Sequence, residues 1–204
     1  VSSHQFDSGE RGFSYRHDAP LDMRMDTTES TTAADVVNQA SEGEIAHLLR
    51  EFSDEKFAGR IARAIVAARP IHTTAELADI VASAIPAPAR RRGGHPAKRT
   101  FQALRISLNK ELEILPNAID SAVRRTRSGG RVAVLSYHSG EDRIIKARFK
   151  QHATGGCECP KSLPCGCGAT SVVRLVRVSS KPNAEEQLVN PRSTSARLRV
   201  AEVL

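Results

Sequence analysis

The four cysteines of the chain all lie in one short segment, CECPKSLPCGCG. They form two Cys-x-Cys pairs, Cys157 with Cys159 and Cys165 with Cys167, and five residues separate the pairs. Four thiolates this close in sequence are able to surround one tetrahedral Zn²⁺, although structural zinc sites more usually contain Cys-x₂-Cys. The prolines and glycines of the segment favour the turns that such a loop needs. We therefore predict a structural zinc site, with an unliganded loop and redox or disulfide chemistry as the alternatives.

A second polar cluster follows the apolar run RVAVLSYH. The run predicts a buried strand that ends at Ser136, and ligands of open α/β sheets bind beyond the carboxyl ends of strands. His138 and Ser139 leave the strand at that end and are candidates for orienting a substrate. The alternative is helix capping, with Ser139 as the N-cap residue and Asp142 three residues later. One residue can serve both purposes, so position alone does not decide between them.

The third unusual segment is RGFSYRHDAPLDMRMD, which ends at Asp26 and contains both methionines of the chain. It is too polar for a core element and too rich in arginine, aspartate and aromatic residues for a spacer. Glycines and Pro20 interrupt it, so the first ~26 residues are predicted to be loop. The printed sequence contains no complete glycine-rich nucleotide fingerprint, no P-loop and no Ser-His-Asp arrangement.

The first half of the chain is predicted to be helical. Ser41 with Glu44, and Thr73 with Glu76, have the spacing of capping boxes ahead of apolar residues at helical intervals. The second of these helices is predicted to end at Pro86. Short amphipathic helices with tight joints are typical of a small helical bundle.

An α/β pattern follows in the second half. One helix is predicted over residues 97–115, and a second begins at Pro116 and ends before Gly129. The buried strand comes next, then a helix in EDRIIKARFKQ and a strand in SVVRLVRVSS. A short helical turn, a loop and a last element of undecided type close the chain. Helix, glycine pair and strand in succession are the rhythm of an α/β sheet.

The charge of the chain is unevenly distributed. Residues 1–89 carry a net charge of −6 and residues 90–204 carry +13, which together give +7. A basic half suits a polyanion, most commonly nucleic acid, and a solvated basic surface is the alternative. Aromatic residues are only 4% of the chain, which does not support a base-stacking platform. No window approaches about 18 uninterrupted apolar residues, so we expect no membrane span. No signal sequence is recognisable, which favours metal binding over disulfides for the cysteines.

Four segments taken in order resemble successive signatures of the RsmH (MraW) family. They are VSSHQFDSGERGFSYRHDAPLDMRMD, GGHPAKRTFQALRISLNKEL, GGRVAVLSYHSGEDRIIKARFK and NPRSTSARLRVAE. The family comprises S-adenosylmethionine-dependent methyltransferases of bacterial small-subunit ribosomal RNA. The resemblance implies an α/β class I methyltransferase fold, a Rossmann-like sheet with an inserted helical subdomain. Residues 1–26 would be a donor- and substrate-site loop, 27–114 the insertion, and 115–204 the return to the core with the cysteine loop 157–168.

The resemblance also implies an activity and its residues. The reaction would be methyl transfer to the exocyclic N4 of a cytidine in the decoding region of 16S rRNA, in the cytoplasm. Gln5 would contact the donor, and Ser2 and Ser3 would lie beside the transferred methyl group. The substrate pocket would include Asp22, Arg24, Asp26, His138 and Ser139, with Arg16 nearby. Contacts with backbone phosphates would come from Arg90–Arg92, Lys98 and Arg99.

Each implied site has a structural alternative. Gln5 is compatible with a solvated loop position, and Asp22, Arg24 and Asp26 are compatible with a salt-bridge cluster that holds the loop. The family's glycine-rich donor loop has no counterpart in this sequence. We therefore expect an N-terminally incomplete chain that binds S-adenosylmethionine poorly by itself.

Composition alone favours another class of function. A basic half, a helical bundle and a zinc knuckle are together typical of a non-catalytic RNA- or ribosome-binding module. A helical DNA-binding protein is less favoured, because the helices show no helix-turn-helix signature. The sequence does not indicate an oligomeric state.

Overall fold

The computed structural model describes residues 2–91, 94–160, 162 and 166–204. The chain divides into two compact units, Val1–Glu111 and Leu112–Leu204. The first is helical, and the second contains a three-stranded sheet packed against helices. The predicted α/β class is confirmed at this level. Within the described residues, no helix has the length and apolar character needed to cross a membrane.

The helices of the first unit follow one another closely along the chain. They are α1 (Ser3–Asp7), α2 (Ala33–Gln39), α3 (Glu42–Ser53), α4 (Ala58–Ala67), α5 (Thr74–Ala84), α6 (Ala87–Arg90) and α7 (Lys98–Leu108), with a 3₁₀ turn at Gly9–Arg11. Both predicted capping boxes are confirmed: the Ser41 hydroxyl caps α3 and the Thr73 hydroxyl caps α5. Each box satisfies backbone N–H groups that have no partner within the helix.

Apolar faces of α3, α4, α5 and α7 form the core of the first unit. Fully buried side chains of these helices include Ile45, Leu49, Ile61, Ile65, Leu77 and Leu104. Each contributes about 1.5–3 kcal/mol by leaving water. Leu21 and Met23 of the N-terminal segment are buried in the same core. The loop prediction for the first 26 residues is therefore only partly right, because this segment also contains α1 and three core side chains, the third being Phe13.

The break between α7 and the next helix does not lie where the sequence predicts it. α7 ends at Leu108, Lys110 adopts a left-handed φ of +51°, and α8 (Glu111–Arg125) runs through Pro116. The Asn109 side chain donates to the Arg105 carbonyl at 2.8 Å. The same carbonyl also accepts from the Asn109 N–H at 3.1 Å, so the backbone and the side chain of Asn109 both bond to it at the end of α7. The predicted single helix over 97–115 and the start at Pro116 are both wrong.

The second unit alternates helices and strands. Its elements after α8 are β1 (Arg131–Ser136), α9 (Ser139–Thr154), β2 (Val173–Val176), α10 (Ala184–Val189), a 3₁₀ turn at Pro191–Ser195, and β3 (Arg197–Val203). The strand order is β1-β3-β2, and both pairings are antiparallel. The last element, undecided from sequence, is thus the central strand of the described sheet.

One face of this sheet packs against helices. Ile119 and Val123 of α8, with Ile145 and Phe149 of α9, form a buried cluster with strand residues. Along β1 exposed and less exposed positions alternate, and Leu135 is 51% exposed. The prediction of a fully buried strand is therefore wrong, because the helical cluster packs on alternate residues of β1.

Candidate functional site

Asp22 and Arg24 form a bidentate ion pair in a turn of residues 22–26, the clasp turn. Arg24 donates from Nε to Asp22 Oδ1 at 2.7 Å and from Nη2 to Oδ2 at 2.9 Å. Its Nη1 donates to the carbonyls of Glu29 at 2.5 Å and Thr27 at 3.3 Å. The hydrogen bonds from Arg24 lower the pKa of the Asp22 carboxyl below its usual value. Both side chains are thus engaged with the turn itself.

Two side chains from elsewhere hold the backbone of the clasp turn. Asn109 Oδ1 accepts from the Met25 N–H at 2.6 Å, and Asn109 Nδ2 donates to the Met23 carbonyl at 2.9 Å. Arg11 Nη2 donates to the carbonyls of Arg24 and Met25. Met23 has a φ of +59° and a fully buried side chain. A left-handed φ at a non-glycine residue costs about 1–2 kcal/mol, so these contacts stabilise a turn that would otherwise relax.

Asp26 lies at the exposed end of the clasp turn. Its Oδ1 accepts hydrogen bonds from the Thr28 N–H at 2.9 Å and the Thr28 hydroxyl at 2.7 Å. These bonds lower the pKa of the Asp26 carboxyl. The group is consequently an ionised, solvent-facing carboxylate at neutral pH.

Helix α1 carries the predicted donor-site residues. Ser2 is its N-cap: the Ser2 N–H donates to Gln5 Oε1 at 2.8 Å, and the Gln5 N–H donates to Ser2 Oγ at 3.3 Å. Ser2 and Ser3 are exposed and Gln5 is half-buried. The capping box therefore fixes the amide plane of Gln5 at the start of the helix.

Helices α1 and α7 are joined by a buried charge. The Arg105 guanidinium lies 5.7 Å from the centre of the Phe6 ring and pairs with Glu111 at 2.6 Å. Because Asn109 holds the clasp turn and also bonds to the Arg105 carbonyl, one end of α7 positions both α1 and the turn. Neither Arg105 nor Asn109 was predicted as a site residue from the sequence. A signal was present, since Arg105 interrupts the apolar stripe of α7 and Asn109 follows four residues later.

In the second unit, His138 is the N-cap residue of α9, two residues after the end of β1. The Glu141 N–H donates to His138 Nδ1 at 3.4 Å, and Glu141 Oε2 accepts from the Tyr137 N–H at 2.8 Å. A Cβ on Gly140 would lie 3.1 Å from His138 Nδ1, so glycine makes room for the ring. This arrangement is a capping box in which a histidine takes the usual place of Ser or Thr.

The predicted cap at Ser139 is therefore wrong by one residue. Ser139 is the first residue of α9, and it is exposed. Asp142, predicted as its partner, instead forms a bidentate pair with Arg199 at 2.6 and 2.9 Å. The hydrogen bonds from Arg199 lower the pKa of Asp142. The pair ties the central strand to α9.

An exposed basic segment follows α5. Arg90, Arg91, Lys98 and Arg99 are exposed, and Arg92 lies outside the described residues. The ring of His95, in the same segment, stacks on Tyr15 at 4.3 Å between ring centroids. Exposed cations of this kind are able to meet the phosphates of a nucleic-acid backbone.

The cysteine loop brings three thiols together. The Sγ atoms of Cys157, Cys159 and Cys167 lie within 4.8 Å of one another. Cys165 lies outside the described residues. The predicted convergence of cysteines is thus present for three of the four.

The model of the MraW methylase family matches residues 1–204, the whole length of the chain. The chain belongs to this family. The predicted RsmH (MraW) resemblance is confirmed. The structure places the predicted MraW-family site residues in separate units: Ser2, Ser3, Gln5 and the clasp turn in the first, and His138 and Ser139 in the second.

Curated MraW-family relatives share about half of their residues with the chain. A protein of Symbiobacterium thermophilum is 54% identical over 98% of the chain, and one of Paenibacillus sp. (strain JDR-2) is 54% identical over 100%. A third, of Mycobacterium sp. (strain KMS), is 51% identical over 99%. All three are named ribosomal RNA small subunit methyltransferase H. The chain spans 64%, 66% and 55% of their respective lengths.

Proposed function

We propose that this protein methylates small-subunit ribosomal RNA. The donor is S-adenosylmethionine, and the acceptor is the exocyclic N4 of a cytidine in the decoding region of 16S rRNA. The observation that carries the proposal is the family match over all 204 residues, together with relatives that are named for this class of reaction. A cytoplasmic location and a class I methyltransferase fold follow from the same proposal.

The groups of α1 suit a nucleoside-type donor. Ser2 Oγ and Gln5 Oε1 are engaged in the capping box, so we assign the Gln5 amide nitrogen and the exposed Ser3 hydroxyl to donor contacts. These neutral polar groups hydrogen-bond a ligand without adding charge near a cationic sulfonium. When bound, S-adenosylmethionine supplies an electrophilic methyl carbon.

The acceptor amine needs help from its surroundings. Its lone pair is delocalised into the cytosine ring, so it is a poor nucleophile, and the rate depends on holding it in line with the methyl carbon. The N–C bond would form as the C–S bond breaks with its electron pair left on sulfur, and the N–H proton lost from the methylated amine would pass to solvent water. Positive charge grows on the nitrogen, and a fixed carboxylate stabilises it. We assign this role to Asp26, whose lowered pKa keeps it ionised.

Other predicted residues act as positioning groups in this account. Asp22 and Arg24 hold the clasp turn through their bidentate pair, and so hold the backbone that leads to Asp26. In the second unit His138 caps α9, and the neighbouring Ser139 hydroxyl is the exposed group that we assign to substrate. The exposed cations at residues 90, 91, 98 and 99 are assigned to RNA phosphates.

The proposal is tested with a chain extended to the full length of its relatives. Small ribosomal subunits that lack the modification are incubated with this chain and with methyl-labelled S-adenosylmethionine. We expect label in 16S rRNA. Tight binding of the subunit without label would instead favour the non-catalytic RNA-binding module.

A further inference from the structure

The loop between α9 and β2 is closed at its base by backbone contacts. Gly155 ends α9 with a φ of +60°, and a Cβ there would lie 2.4 Å from the Thr170 carbonyl oxygen. The Val172 N–H donates to the His152 carbonyl at 3.0 Å, across the same base. The fold therefore holds the two ends of the cysteine loop together. The entropic cost of closing the loop is thus already met when the second unit folds.

The first cysteine is held by the end of α9. The Gly156 N–H donates to the Gln151 carbonyl at 3.0 Å, and the Cys157 N–H donates to the Thr154 carbonyl at 3.1 Å. Cys157 and Cys159 are half-buried, whereas Cys167, on the returning arm of the loop, is exposed. The thiols thus come from both arms of a closed loop, as a metal knuckle requires.

The spacing of the thiols fits one metal ion. With Zn–S bonds of about 2.3 Å, tetrahedral geometry places sulfur atoms about 3.8 Å apart. The three Sγ atoms lie within 4.8 Å of one another, so shifts of about 1 Å bring them to that distance. Sulfur ligands select zinc over magnesium and calcium, which prefer oxygen.

We propose that Cys157, Cys159 and Cys167 bind one structural Zn²⁺ as thiolates. Cys165 lies outside the described residues, so the proposal names these three thiols alone. Zinc binding releases the thiol protons and stabilises the folded loop, because metal-binding free energy is also folding free energy. The site stabilises the connection from α9 to the edge strand β2, and it is independent of methyl transfer.

Metal content is the direct test. The 204-residue chain is purified from zinc-supplemented cells, dialysed and measured by inductively coupled plasma mass spectrometry for zinc, iron and copper. We expect about one equivalent of zinc per chain, as a structural site requires. Zinc below about 0.2 equivalents, or iron or copper in its place, would overturn the proposal.

Variants identify the ligands. Cys157→Ser, Cys159→Ser and Cys167→Ser should each reduce zinc to below about 0.2 equivalents in the same measurement. Glu158→Gln, which changes the exposed residue between two of the cysteines, is the matched control and should keep the metal. Retention of zinc by all three cysteine variants, or its loss in the glutamate variant, would contradict the three-thiol site.

A measurement on the unchanged chain does not depend on the folding of variants. Iodoacetamide is added with and without prior removal of metal by EDTA, and alkylated cysteines are located by mass spectrometry. We expect the three thiols to be protected in the metal-loaded chain and modified after EDTA. In addition, Co²⁺ should give a thiolate-to-cobalt charge-transfer band. Equal alkylation in both states would rule out the site.

Discussion

Asn109 is separated from Met25 by 84 positions in the chain, and yet its side chain holds the backbone of the clasp turn. The alternation of acids, Arg24 and methionines was visible in the sequence, and a salt-bridge cluster was one of its two interpretations. The sequence could not show which interpretation applied, because the answer depends on where the partners of Arg24 lie. In the structure Arg24 donates hydrogen bonds to Asp22 and to two carbonyls, so the ion pair holds the backbone of the turn.

Asn109→Ala should lower the free energy of unfolding by about 3 kcal/mol, because it removes three hydrogen bonds of about 1 kcal/mol each. The measurement is urea denaturation. Asn117→Ala, the same change at an exposed position of α8, is the control and should stay within about 0.5 kcal/mol of the parent. A loss no larger than that of the control would mean that the clasp turn is held by other contacts.

Asp26→Asn tests the proposed substrate contact. In the chain extended to the relatives' length, we expect kcat/KM for rRNA methylation to fall about 10²-fold, because a fixed charge beside the reacting nitrogen is lost. The thermal midpoint should stay unchanged, because the Asp26 side chain is exposed and its described hydrogen bonds are both with Thr28. Glu29→Gln, a nearby exposed acid, is the control. Equal rates for the two variants would limit Asp26 to its turn with Thr28.

Among the helices and strands, features that depend on neighbouring residues were predicted correctly, and features that depend on distant residues were not. Ser41 with Glu44 and Thr73 with Glu76 start helices because each box needs only neighbouring residues. The break after Leu108 was not predicted, because Asn109 at this position donates a hydrogen bond to the carbonyl of Met23, which is far away in the sequence. Likewise β3 was undecided, since a strand is defined by partners more than 60 residues away in β1.

Gly12 lies in a turn that requires glycine, whereas Gly43 lies in a helix where alanine is able to replace it. Gly12 has a φ of +68°, and a Cβ there would lie 2.3 Å from the Pro20 carbonyl, so Gly12→Ala should destabilise the chain by about 2–4 kcal/mol. Gly43 in α3 has its nearest such atom at 3.9 Å, and Gly43→Ala should stabilise by about 0.5–1 kcal/mol. Thermal unfolding of both variants checks the pair. Similar shifts would mean that the close approach at Gly12 relaxes without cost.

Helices α8 and α9 are joined by Asp120, which pairs with Arg148 and with His152. The hydrogen bond from Arg148 is the main cause that lowers the Asp120 pKa to about 2, from 3.8 when unperturbed. A depressed folded-state pKa contributes stability that is present above about pH 4 and lost as pH falls through about 2. Arg148 is 30% exposed, so solvent screening reduces this contribution to about 1–2 kcal/mol.

Asp120→Asn should therefore be less stable than the parent at pH 7, by about 1–2 kcal/mol. The difference should shrink as pH falls from about 4 to about 2, because the parent carboxylate then takes up a proton. Urea denaturation at several pH values measures it, with Asp79→Asn at an exposed helical position as control. A difference that stays constant with pH would show that the ion pair is not its cause.

At the scale of the whole molecule, charge and family membership favour the same partner. The basic half of the chain suits a polyanion, and the relatives are named for an action on ribosomal RNA. The charge imbalance was visible in composition, whereas the exposure of Asp26 was not, because exposure depends on the folded chain. The convergence of the cysteines was predicted from spacing alone, because these residues are close in sequence.

The most direct test of the account identifies the methylated nucleoside. 16S rRNA is isolated from cells that lack the gene, and from the same cells supplied with the full-length protein or with its Asp26→Asn variant. The nucleosides are then separated and measured by mass spectrometry. We expect N4-methylcytidine in the decoding region with the unchanged protein and its strong reduction with the variant. A methyl group on another base, or unchanged N4-methylation in cells that lack the gene, would contradict it.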